Sequence, residues 1–105
     1  MRRGEVRWYR FRAPDKRRPV LILTRDPSID MLHDVTIAPV TRTVRGAPSE
    51  VVLDQHDGMP QPSAVNLYYV RTVPKREIGG LITRLDQPRM REIASALKFA
   101  LALDE

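Results

Sequence analysis

A chain of 105 residues makes one domain, with room for one hydrophobic core and not two. The absence of cysteine excludes disulfides and thiolate metal sites, and the two histidines, His33 and His56, are too few for an ordinary zinc site. The formal net charge of +5 is concentrated in residues 1–18, where eight lysines and arginines stand against Glu5 and Asp15, and such a cluster attracts polyanions.

Hydrophobic residues at 42% and charged residues at 30% describe a folded chain rather than a disordered one. No apolar run has the length of a signal-peptide core or a membrane span, so a cytoplasmic protein with no membrane association is expected. Nine prolines spread along the chain predict many short elements joined by turns.

Residues 5–12 place Val6, Trp8, Tyr9 and Phe11 among arginines, which predicts a first strand with one wet, basic face. A turn follows at residues 13–16. Residues 19–23 form a continuous apolar run, the pattern of a strand buried on both faces, with Pro19 expected at its first position. Residues 25–34 are polar and read as a loop. The next strand spans residues 35–40, and Pro39 implies an edge or a bulge near its end. After a turn at residues 45–48, residues 49–53 resume as a strand whose spacing suits a hairpin with the preceding one.

Residues 54–63, with Gly58, Pro60 and Pro62, are the most loop-like stretch. Residues 64–70 read as a strand ended by residues 72–75, and residues 78–85 as a short further strand interrupted by Gly79 and Gly80. The chain then changes character. Met90, Ile93, Ala94, Leu97 and Leu101 recur at helical spacing, and Asp86 and Pro88 suit the first turn of that helix. Strands followed by one helix predict a mainly β fold with a C-terminal α-helix, built as a bent sheet or small barrel over residues 1–105.

Arg18 and Thr41 stand out because each joins a buried-looking strand to a group that suits a phosphate. If the strands are neighbours, a guanidinium and a hydroxyl face one anion. As bland alternatives, Arg18 is a surface arginine at a strand start, and Thr41 bonds its own backbone.

In order and spacing, several segments resemble the MazF/PemK family of toxins: Arg3-Gly4-Glu5-Val6 with Trp8, Arg18-Pro19-Val20-Leu21-Ile22-Leu23, Val40-Thr41-Arg42, Pro48-Ser49-Glu50-Val51, Ser63-Ala64-Val65-Asn66-Leu67 and Arg71-Thr72-Val73. The resemblance covers nearly the whole chain. It implies an SH3-like β-barrel, a homodimer, a cognate antitoxin as partner, and an endoribonuclease that needs no metal or other cofactor. Such an enzyme cuts single-stranded RNA and leaves a 2′,3′-cyclic phosphate and a 5′-hydroxyl. The family's catalytic arginine falls on Arg18 and its catalytic threonine on Thr41.

The chemistry suits these two residues: a guanidinium supplies paired N–H donors to a phosphorane and a hydroxyl supplies one more. Candidate RNA contacts are Arg10, Arg17, Arg42 and Arg45 for the backbone, Asn66 for a base edge or a turn cap, and Tyr68 or Trp8 for stacking, with core or interface packing as the alternative for Trp8. Some family members carry an acidic residue where this chain has Tyr68, so the general base is left unassigned. A second reading keeps the fold without the chemistry: a nucleic-acid-binding regulator, or a topoisomerase-poisoning toxin of the CcdB kind.

Overall fold

The computed structural model describes residues 1–10 and 16–105. The turn expected at residues 13–16 and the end of the first strand at Phe11 and Arg12 fall outside the described residues, apart from Lys16.

Seven strands form one antiparallel, bent sheet: β1 (Glu5–Arg10), β2 (Arg17–Ile22), β3 (Asp34–Thr41), β4 (Glu50–Leu53), β5 (Ser63–Asn66), β6 (Arg71–Pro74) and β7 (Ile78–Arg84). Their order is β4-β5-β3-β2-β1-β7, with β6 also paired to β3. A short helix α1 (Asp26–Met31) lies between β2 and β3, and α2 (Gln87–Ala100) ends the fold. The mainly β architecture with a C-terminal helix is as expected. The pairing path has two ends, β4 and β7, so the sheet is barrel-like in its bend without closing.

The apolar run in β2 is buried on both faces. Leu21 and Leu23 join one core cluster with Val6, Val40, Leu53 and the α2 residues Ile93 and Ala96. Val20 and Ile22 alternate into the other, with Tyr9, Ile29, Val35, Ile37 and Val73. In α2, the Asp86 carboxylate accepts from the Arg89 N–H at 2.9 Å, and a proline occupies the first turn. The helix ends at Ala100, so Leu101, expected on the apolar stripe, is exposed.

Four local expectations are corrected. Residues 26–31 are helical rather than loop, because Pro27 starts a turn and Ile29 buries itself; one buried apolar residue leaves no periodicity to read. β4 pairs with β5 rather than with β3, because the edge of β3 at Val40 and Thr41 is taken by β5. The strand expected over residues 64–70 stops at Asn66, whose side chain caps a 3-10 turn over Leu67–Tyr69. Pro19 is the third residue of β2, and β3 is an interior strand, so neither proline marks a strand start or a sheet edge.

The two prolines instead set where pairing stops. Leu23 N–H donates to Thr36 O at 2.9 Å, so alternation aims the backbone nitrogens of Leu21 and Pro19 at β3. Pro19 has no N–H to give, and the β2–β3 ladder ends at Val20↔Pro39. Pro39 lacks its N–H on the opposite edge, in the gap between the β6 pairing, which ends at Ile37, and the β5 pairing, which begins at Val40.

Candidate nucleic-acid interface and active site

A cleft of about 500 Å³ opens where β2 and β3 part. Continuing the register of Val20↔Pro39 by two residues sets Arg18 opposite Thr41, and both line the cleft. The β2 wall adds Lys16, Arg17 and Pro19, and the β3 wall adds Val40, Arg42 and Thr43. Residues 59–61 and Ser63 form the remaining wall, with Trp8 beside β2. Lys16, Arg17, Arg18 and Arg42 thus surround one space, and no carboxylate or histidine is among its described lining residues. That charge imbalance attracts an anion and leaves it without a protein competitor.

The groups differ in how they are held. The Arg18 side chain is exposed and makes no hydrogen bond or ion pair with a described residue, so its guanidinium N–H donors are open to a ligand. Thr41 Oγ1 accepts from the Thr43 N–H and donates to the Thr43 carbonyl, each at 3.0 Å. This is the backbone bonding foreseen as the bland role of Thr41, and it also fixes the hydroxyl oxygen at the cleft wall. The Arg17 guanidinium lies 4.7 Å from the centre of the Trp8 ring, a cation–π contact that covers one face of the indole. Trp8 thereby positions a cation in the cleft.

Five of the candidate residues, Arg18, Thr41, Trp8, Arg17 and Arg42, meet in the cleft. Four do not line it. Arg10 lies opposite Arg17 at the end of the β1–β2 ladder. Arg45 is exposed in the loop after β3, where its N–H and that of Gly46 donate to Glu50 Oε1. Asn66 is buried, and its Oδ1 accepts from the Tyr68 N–H at 3.0 Å, so its side-chain oxygen caps the turn. Tyr68 is 58% exposed and packs against Phe99 with ring centres 6.4 Å apart. His33 and His56 are exposed and outside the cleft.

The wall from Met59, Pro60, Gln61 and Ser63 was not among the candidates. Its only sequence signal is the density of turn residues in the loop that carries it, since loops on a rigid scaffold carry binding groups. This loop is anchored. Arg89 donates from Nε to Asp57 Oδ1 at 2.9 Å and from a terminal nitrogen to Oδ2 at 3.1 Å. The Thr83 hydroxyl donates to the Asp57 carbonyl at 2.8 Å. Gly58 takes φ +87° against Thr83, where a Cβ would lie 2.3 Å from Oγ1. Burial pushes the Asp57 carboxyl up, but hydrogen bonds from Arg89 and the Asp54 N–H, with the Arg89 charge, hold it below the ordinary aspartate range.

Comparison with known proteins agrees with this geometry. Residues 2–101 match the family of PemK-like, MazF-like toxins of type II toxin–antitoxin systems. The chain is 44% identical over 100 residues to the probable endoribonuclease MazF5 of Mycobacterium tuberculosis, covering 94% of this chain and 91% of that protein. Among solved structures, the Mycobacterium tuberculosis toxin MazF-mt6 superposes with a TM-score of 0.87 at 37% identity, covering 96% of this chain and 99% of that one. An endoribonuclease in complex with its cognate antitoxin, from Mycobacterial species, superposes with a TM-score of 0.89 at 26% identity, covering 98% and 96%. With residues 2–101 matched, the chain belongs to the PemK-like, MazF-like toxins of type II toxin–antitoxin systems.

Proposed function

We propose that this toxin is a sequence-selective, metal-independent endoribonuclease that cuts single-stranded RNA in the cytoplasm, works as a homodimer and is neutralised by a cognate antitoxin. The observation that carries this reading is the cleft itself. Arg18 and Thr41 fall opposite each other two residues beyond the end of the ladder, among Lys16, Arg17 and Arg42. The similarity to endoribonucleases, one of them bound to its antitoxin, supports the activity and the partner.

In the proposed reaction the RNA 2′-oxygen attacks the adjacent phosphorus and the bond to the 5′-oxygen breaks. The products are a 2′,3′-cyclic phosphate and a 5′-hydroxyl. Arg18 gives paired N–H donors to the non-bridging oxygens, whose charge grows in the transition state. Thr41 turns its hydroxyl hydrogen from the Thr43 carbonyl to a phosphate oxygen, while the Thr43 N–H keeps its oxygen in place. With no carboxylate or imidazole among the described lining residues, solvent hydroxide takes the 2′-hydroxyl proton, and the departing 5′-oxygen takes a proton from water and regenerates the hydroxide.

A protein interface is supported elsewhere on the surface. Tyr68, Tyr69, Phe99, Leu101 and Leu103 are exposed, and the Tyr68–Phe99 contact links the turn after β5 to the end of α2.

The test is incubation of the purified protein with single-stranded RNA in EDTA. Cleavage leaving 5′-hydroxyl ends is expected, and Arg18→Ala should lower it by about 100-fold or more while leaving the fold intact. No cleavage, or 5′-phosphate ends, overturns the reading. Tight binding without turnover would place the protein among non-catalytic regulators, and inhibited DNA supercoiling among topoisomerase poisons.

A further inference from the structure

The lining of the cleft is uneven in chemistry. Lys16, Arg17, Arg18 and Arg42 carry its four cations, while the side built from Met59, Pro60, Gln61 and Ser63 carries none. In nucleic-acid recognition, contacts to phosphates position the strand and contacts to base edges read its sequence. The neutral side holds the only side-chain amide among the described lining residues, that of Gln61.

Gln61 has its backbone fixed and its side chain open. Its carbonyl accepts from the Ser63 hydroxyl at 2.9 Å, and Ser63 is buried at the start of β5. Met59, two residues earlier, is buried in the core shared with α2, and its N–H donates to Asp54 O at 3.2 Å. The segment is therefore pinned on both sides of Gln61, whose exposed amide makes no hydrogen bond with a described residue. An amide offers two donors and an acceptor in one plane, the mixed pattern that a base edge also presents.

We propose that Gln61 is a specificity-determining residue: its amide hydrogen-bonds the edge of a base next to the scissile phosphate, in the cleft that Arg18 and Thr41 line. The adjacent, exposed Pro60 ring gives that base an apolar surface. This assignment rests on the reading of the cleft as the RNA-cleaving site.

The experiment maps cut sites across an RNA pool for the wild type, Gln61→Ala and Gln61→Glu. Both variants should still cut, with preference at one position of the motif relaxed by about tenfold or more in Gln61→Ala and redirected in Gln61→Glu, which loses the donors. An unchanged motif in both overturns the proposal, as does loss of all cutting by a folded Gln61→Ala. Binding of short single-stranded homopolymers of each base to Arg18→Ala, with and without Gln61→Ala, reads base preference without catalysis. A preference that disappears with Gln61→Ala supports the assignment even where the wild type fails to cut, and an unaltered preference sinks it.

Discussion

Arg18 and Thr41 fall opposite each other in register two residues beyond the last β2–β3 pair, Val20↔Pro39, where Pro19 has no N–H to extend the ladder. Both line the cleft that opens there. Pro19→Ala restores a donor aimed at the Val40 carbonyl. The new hydrogen bond contributes about 1 kcal/mol, and loss of the proline's restriction of the unfolded chain offsets roughly 0.4–1 kcal/mol. Stability should change little while cleavage falls by about tenfold, as the strands zip and Arg18 draws away from the anion. Denaturant unfolding and cleavage rates, measured together, check this. Full activity in Pro19→Ala would show that the broken ladder is not what shapes the site.

A reaction whose base is solvent hydroxide has a distinctive pH profile. The rate should climb about tenfold per pH unit from pH 5 to 8, with no inflection from a carboxylate or imidazole base. A plateau within that range, measured under saturating RNA, would mean that a titrating group of the protein serves as base.

Salt separates the cations that line the cleft from those that do not. Removing one cation that pairs with a phosphate of single-stranded RNA should reduce the log–log salt slope of binding by about 0.7. Arg17→Ala and Arg42→Ala should each do so. Arg45→Ala should leave the slope where it was, since Arg45 does not line the cleft. Binding titrations from low to moderate salt give the answer, and equal slopes for all three variants would remove the distinction.

Arg18 and Thr41 were legible because strand patterns fix side-chain alternation and a resemblance covered both ends of the pairing. The doubly buried β2 and the capped α2 were legible for the same local reasons, apolar runs and caps. What escaped was partner choice. Nothing local tells β4 to pair with β5, and nothing in Pro19 says on which edge its missing N–H falls until the register is known. α1 was hidden because Ile29 alone supplies its apolar contact. Gln61 was hidden because its role depends on a loop fastened from a distance, by Arg89 on α2 and Thr83 on β7.

Asn66 separates a structural role from a base-reading one. Its Oδ1 caps the turn that follows β5, so Asn66→Ala should destabilise by about 1 kcal/mol and leave the cleavage motif untouched. Serine, which also accepts a hydrogen bond at a cap, should recover most of that loss. Unfolding curves beside cut-site maps for the two variants test this, and an altered motif in either would return Asn66 to the RNA-contacting set.

The Asp57–Arg89 pair links stability to pH. The Asp57 side chain is 7% exposed and that of Arg89 26%, so the pair is shielded on one side only. Arg89→Ala strands the Asp57 charge and should cost about 2 kcal/mol, less than the roughly 3–5 kcal/mol of a fully buried pair. Because the Asp57 carboxyl is held below its ordinary range in the folded chain, its stabilising contribution is complete above the unfolded value near pH 4. It is lost as pH falls through the lower folded value. The stability gap between the wild type and Asp57→Asn should therefore be constant above about pH 5 and shrink steadily below pH 4. Since this pair fastens the loop carrying Gln61, Arg89→Ala should also blur the cleavage motif at temperatures where the variant is fully folded. A gap that persists at low pH would mean that Asp57 contributes through packing rather than through its charge.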